Sequence, residues 1–339
     1  MAHSQSPVFP PAGPPSRERA FTRRQFLAGL GLLSGAGVLA PVLQRLQRPG
    51  SASLEAGRPL LGTWVRVVAR HPDRDLATRA VERAFAAVRE VDDQMSVHRA
   101  DSELSRVNRA AGRGPVRVSP ALLDVVEQAC ACARRSGGIY DPTVLPLMTL
   151  YGFYGPERAS LPARAEVDRV LDLVAFEDVR VDRGAGTIAL ARRGMGLDLG
   201  SIGKGWAVDR AVAALRATGV ESGLVDAGGN VYGLGVPGGG ADGWSVALFH
   251  PRTGRAERDF TLRDAAVATS ANNERFRTIA GHRLGHLFDA KRGRPADGHL
   301  SVTVLARTGG ESDQMSTAAF LLGPSRFRGW PGSLDALFL

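Results

Sequence analysis

The sequence of 339 residues carries 43 Lys and Arg against 34 Asp and Glu, a formal charge of +9, with 44% apolar and 23% charged residues. That balance is ordinary globular usage and excludes a disordered chain, while 41 glycines beside only 6% aromatics point to many tight turns. The basic residues are scattered and never interleave with aromatics, which excludes a surface built to bind nucleic-acid strands.

At the start, Thr22-Arg23-Arg24-Gln25-Phe26-Leu27 leads into an apolar run from Phe26 to Leu43 that is interrupted by Gly29, Gly31, Gly35, Gly37 and Pro41. A pair of arginines before a short, weak apolar stretch is a twin-arginine export signal, weaker than a dedicated span of about 20 strongly apolar residues. The expected location is therefore the periplasm or the outer face of the inner membrane. Ala40 offers a small residue for cleavage but Pro41 follows it, so removal of the segment and its retention as a membrane tether both stay open. Residues 1–50 are read as signal and linker, residues 51–339 as one domain. Within this division, 44–58, rich in Arg, Gln, Pro, Gly and Ser, lacks periodicity, so the fold is expected to begin near Leu60.

Thr63, Val65 and Val67 alternate as a strand, and Leu76, Ala80, Val81, Ala84, Phe85, Val88 and Val91 follow at helical spacing. Ser119-Pro120 starts a second helix that stops at Gly137-Gly138. It carries Cys130 and Cys132, the only cysteines, two positions apart on a helix and so suited neither to a metal clip nor to a disulfide. Val179–Asp182 and Thr187–Ala191 flank a hairpin turn, and a helix is expected from Lys204 to Ala217. Strands at Ser222–Asp226, Val231–Leu234, Trp244–Phe249 and Ser301–Ala306 precede a last helix over Asp313–Leu322. The sum is an α+β domain with a mixed sheet.

Three clusters can carry chemistry. Asp198-Leu199-Gly200-Ser201-Ile202-Gly203-Lys204-Gly205-Trp206-Ala207-Val208-Asp209 passes through small residues into a helix, where free amides, the helix dipole and a lysine suit phosphate; a plain surface turn is the alternative. Asp313, Ser316 and Thr317 stand at i, i+3 and i+4, three oxygens on one helical face that suit Mg²⁺, unless Ser312 or Asp313 simply caps the helix. His286 heads a short apolar stretch ending at Asp289, and a histidine near a phosphate can act as general base. Tyr140-Asp141-Pro142-Thr143 and Asp226-Ala227-Gly228-Gly229-Asn230 are weaker signals.

Taken in order with Leu61-Gly62-Thr63, Met95-Ser96 through Asn108, and Ala268-Thr269-Ser270, these segments resemble the ApbE family of FAD:protein FMN transferases. The resemblance spans roughly Leu61 to Leu339. It implies an α+β, T-fold-like domain with FAD between two halves, and Mg²⁺-dependent attachment of FMN to a Ser or Thr of an acceptor flavoprotein with release of AMP. The acceptor it suggests belongs to a membrane redox complex. It implies Asp313 and Thr317 as Mg²⁺ ligands with the Ser201 carbonyl and Ser316 close by, His286 as base, and Leu61, Ile139, Tyr140, Asp141, Asp198, Lys204 and Leu287 around FAD. Leu61, Ala271, Ala290 and Gln314 depart from the family's usual residues, the last beside the metal acid. A Mg²⁺-dependent FAD pyrophosphatase and a non-catalytic periplasmic flavin-binding protein are the competing readings.

Overall fold

A two-residue turn sets the first hairpin. Leu61 and Gly62 both take left-handed backbone angles, φ 55° and 68°, the pattern of a turn whose twist matches the strands it joins. Those strands are β1 (Ala52–Leu60) and β2 (Thr63–His71), paired antiparallel along their whole length from Leu60↔Thr63 to Ala52↔His71. The region read as linker up to residue 58 is thus a strand from Ala52. Its alternation was hidden by Gly57, Arg58 and Pro59, yet Leu54, Ala56 and Leu60 pack on the core, and Gly57 is bare because a Cβ there would lie 2.5 Å from Trp64 Nε1.

In this computed structural model, residues 39–41, 52–272 and 275–339 are described; the twin-arginine motif over 22–27 and the apolar run as far as residue 38 lie outside them. After β2 come the helices α1 (Arg74–Met95), α2 (Glu103–Arg109), α3 (Pro120–Ser136), α4 (Leu145–Leu150), α5 (Arg164–Leu171) and α6 (Gly203–Ala217). Strands β3 (Ser222–Ala227), β4 (Asn230–Leu234), β5 (Trp244–Phe249), β6 (Ala256–Leu262), β7 (Ala265–Ala271), β8 (Phe276–Ile279), β9 (His282–Gly285) and β10 (Ser301–Ala306) follow, then α7 (Gly309–Leu322) and β11 (Ser333–Phe338). The main sheet runs β11-β10-β7-β4-β3-β2-β1, open and antiparallel at every step, with β5 and β6 in a separate sheet that also takes Leu39–Pro41.

Alternation sorts the strands' side chains between two layers. Val65, Val67 and Ala69 of β2 and Val225 of β3 join the core shared with α1, α6 and α7. Val68, Leu224, Val231 and Val267 point the other way, into a second core with Trp244, Val246, Phe260 and Leu262 of β5 and β6. Asp73 caps α1 through the N–H groups of Asp75 and Leu76, and the helix buries Ala80, Val81, Ala84, Phe85, Val88 and Val91 of the expected stripe, with Leu76 only partly buried and Ala77 buried beside it. Ser119 caps α3 and Gly137, at φ 67°, ends it. Both cysteines on α3 are free and buried.

Candidate functional site

The site forms where the start of α6 meets α7 beside the end of β7. Helix α7 begins at Gly309, four residues before Asp313, and Thr308 caps it by accepting from the Glu311 N–H at 3.2 Å. Asp313 therefore does not cap its own helix. It lies in the second turn with its carboxylate free for other work, and Ser316 and Thr317 share its face as the spacing requires.

The Asp313 carboxylate is buried, 4% exposed, and its Oδ2 accepts the Gly205 N–H at 2.9 Å. Lys204 Nζ stands 3.9 Å from Oδ1 and 3.5 Å from the Gly200 carbonyl oxygen. Burial raises the pKa of Asp313, with Lys204 and the amides of Gly205 and Lys204 opposing the shift. The anion facing the first amides of α6 is thus this carboxylate of the protein itself, which corrects the expectation that those amides lie open to phosphate. Lys204 keeps a third of its side chain exposed and remains the group able to reach a phosphate.

Hydroxyls complete the cluster. Ser270 Oγ of β7 lies 2.8 Å from Ser316 Oγ and 3.0 Å from Thr317 Oγ1, and Ser316 Oγ donates to the Asp313 carbonyl at 2.8 Å. The sequence places Ser270 in the matching segment Ala268-Thr269-Ser270 but gives it no role and no strand; the signal was its alternation with Thr269, whose hydroxyl pairs instead with Thr303 at 2.8 Å. A buried carboxylate with one nearby lysine, ringed by neutral hard oxygens, fits a small divalent cation, because such an ion would relieve the desolvation that raises Asp313. Among the described residues no three His, Cys, Asp or Glu side chains gather as a metal group, so a cation here would rest on one carboxylate, hydroxyls and carbonyls.

His286 is half-buried, and its Nδ1 lies 3.0 Å from the Arg275 carbonyl oxygen, which also accepts the His286 N–H at 3.2 Å. A carbonyl only accepts, so Nδ1 carries the proton and Nε2 offers a lone pair. Burial, then the charges of Lys204 and Arg275, lower its pKa to about 4. Arg275 also reaches the Phe153 carbonyl at 3.3 Å and the Tyr154 hydroxyl at 3.4 Å, and Tyr154 in turn donates to Asp198 Oδ2. Tyr154 and Arg275, both missed in the sequence, thereby connect Asp198 to the histidine. Asp198 Oδ1 accepts the Gly200 N–H at 2.8 Å, shaping the turn before α6.

The other expected residues form the wall. Tyr140 is buried with its hydroxyl 2.8 Å from Ser201 Oγ, and burial pushes that phenol's pKa up. Asp141 accepts from Thr143 N and Oγ1 of its own loop at 2.8 and 2.6 Å and from Phe176 N, 35 residues on, at 3.1 Å. Ile139 accepts the Ala290 N–H at 3.1 Å and so ties the loop after His286 to the end of α3, while Leu287 packs in the main core with Tyr140. Leu61 sits on the hairpin turn, against the same core. Gln314 points away from the acid: its amide donates to the Gln128 carbonyl at 3.2 Å and approaches the Tyr140 hydroxyl at 3.5 Å. Asp226 to Asn230 make the β3–β4 turn, with Asp226 accepting from Gly229 N at 2.9 Å. A cleft of about 770 Å³ between α3 and α6 takes in Trp206, Arg210 and Gln314 but not the acid, lysine and hydroxyl cluster.

Comparison with known proteins identifies the family. The ApbE family profile matches residues 61–337. An FAD:protein FMN transferase of Treponema pallidum (strain Nichols) is 32% identical over 295 residues, 81% of this chain and 80% of the relative; one from Klebsiella pneumoniae (strain 342) is 32% identical over 269 residues, 78% and 81%. Among solved structures, an ApbE protein of Thermotoga maritima superposes with TM-score 0.76 at 28% identity, covering 85% of this chain and 94% of that one. The flavin transferase ApbE from Vibrio cholerae gives 0.74 at 27% identity, covering 85% and 97%.

Proposed function

This chain belongs to the ApbE family, and we propose that it is a Mg²⁺-dependent FAD:protein FMN transferase that esterifies a Ser or Thr hydroxyl of an acceptor protein and releases AMP. The observation that carries this reading is the buried Asp313 carboxylate set against Lys204, Ser270, Ser316 and Thr317, with a histidine whose Nε2 is unprotonated nearby. Asp313 and Thr317, with the Ser201 carbonyl and Ser316 close by, would hold Mg²⁺. When bound, Mg²⁺ supplies Lewis-acid charge at the pyrophosphate. Lys204 offsets charge gathering on the departing phosphate. Nε2 of His286 takes the acceptor hydroxyl's proton as its oxygen bonds to the FMN phosphorus, and the bond to the AMP oxygen breaks, leaving AMP as an anion. Asp198, Tyr140 and the turn at Leu61, with Ile139, Asp141 and Leu287, shape the flavin nucleotide site, with FAD between two halves of the domain.

Export by the twin-arginine route to the periplasmic side, with a flavoprotein of a membrane redox complex as acceptor, is part of the same proposal. The deciding experiment incubates the purified protein with FAD, Mg²⁺ and a candidate flavin-carrying acceptor domain, then reads intact mass and AMP. An FMN-sized gain with matching AMP is expected. AMP and free FMN without modification of any acceptor would replace this reading with a pyrophosphatase, and flavin binding without either product would replace it with a carrier.

A further inference from the structure

Helices α6 and α7 exchange caps. Gly205, in the first turn of α6, donates its N–H to Asp313 of α7 at 2.9 Å. Gly309 and Gly310, in the first turn of α7, donate theirs to the two carboxylate oxygens of Asp209 on α6, at 2.6 and 2.8 Å. Asp209 stands one turn after Gly205, and Asp313 one turn after Gly309, so each pair shares a face. The backbones meet with nothing between them: a Cβ on Gly205 would lie 2.0 Å from the Gly309 carbonyl oxygen, and one on Gly309 2.4 Å from that of Gly205.

Helix α7 already has a local cap in Thr308, so the bonds from Asp209 are not needed for the helix to form. What they fix is where its first turn stands against α6. Asp313 lies about 6 Å along the axis from Gly309, within the same rigid helix, so a slip of that first turn is passed to the carboxylate. We propose that Asp209 is a positioning residue for the transfer reaction, fixing the place at which Asp313 presents its carboxylate to the cation without touching cation or substrate itself. This rests on the reading of Asp313 as a Mg²⁺ ligand.

The test measures Mn²⁺ binding by paramagnetic resonance, the Mg²⁺ concentration giving half-maximal transfer, KM for FAD, and melting temperature, in the full-length protein. For Asp209→Ala, Mn²⁺ affinity falls and the Mg²⁺ requirement rises by about tenfold or more, the usual effect of losing a group that orients a ligand, while KM for FAD stays within about twofold. Asp209→Asn, whose remaining carbonyl oxygen still accepts one amide, recovers part of the loss and decides the matter if the alanine variant does not fold. Val212→Ala, which loosens α6 from within the core, lowers melting without moving Mn²⁺ affinity. Unchanged Mn²⁺ affinity in both Asp209 variants overturns the proposal while leaving the metal reading intact. A wild-type protein that neither binds Mn²⁺ nor needs a divalent ion for transfer overturns both.

Discussion

The Nδ1 atom of His286 is held 3.0 Å from the carbonyl oxygen of Arg275, a residue whose own side chain anchors to Phe153 and Tyr154 across the site. This bond fixes the tautomer, and burial beside two cations lowers the pKa to about 4. The imidazole is therefore neutral at all physiological pH values. The acid limb of a pH–rate profile governed by this residue falls near pH 4 rather than near 6.5, and His286→Ala removes it and slows transfer by about 10² to 10⁴. The same shift bears on stability: a His with a lowered folded pKa contributes in full above the unfolded value and loses that contribution as pH drops from about 6.5 to 4.

Asp313→Ala abolishes FMN transfer, and EDTA does the same to the wild-type protein. Intact-mass measurement of an acceptor checks both, and full modification in either case would remove the cation from the mechanism. Melting of the variant is expected to fall, because the buried Gly205 N–H is left without its acceptor, at a cost of about 1–3 kcal/mol.

Gly205→Ala is the severe substitution. The new methyl would lie 2.0 Å from the Gly309 carbonyl oxygen and 2.7 Å from Asp313 Cβ, and neither backbone can step aside without parting the helices. A loss of about 3 kcal/mol or more in urea unfolding is expected, at the upper end for overpacking, together with loss of activity.

Arg66 and Asp226 face each other directly across β2 and β3, on the side of the second core. Burial raises Asp226 to about 6, with the Gly229 amide and Arg66 opposing. A carboxyl raised in the folded state contributes most below its unfolded value, so this contribution is lost as pH climbs from about 4 to 6. Asp226→Asn, which keeps an acceptor for Gly229, removes that fall, a difference of roughly 2–3 kcal/mol between the ends of the window by denaturant titration.

Burial pushes the thiols of Cys130 and Cys132 up to about 12. Native protein is expected to leave a disulfide reagent unreacted over the time in which denatured protein titrates two thiols.

Local signals carried far in the sequence. The α1 stripe and the Ser119 cap were legible because one segment decides them, as was the shared face of Asp313, Ser316 and Thr317. The start of α7 was not, since Gly309-Gly310 reads as a turn until one sees that side chains there would strike α6. Asp209 lay inside a recognised motif yet showed no task, because its partners are a hundred positions away. Tyr154 and Arg275 were invisible for the same reason, 121 positions apart. Gln314 adjoins Asp313 in sequence, yet a helix turns neighbouring side chains by about 100° and sends this one toward α3.

The bond between Gly205 and Asp313 closes a loop of 108 positions, and β11, which pairs with β10 beside α7, comes later still. Contacts of such separation form late in folding, after the local helices and hairpins. A chain halted short of α7 carries the lysine with no acid to face it. The lysine and acid of the proposed phosphate site therefore come together only once α7 has docked on α6, so completion of that site reports completion of the fold.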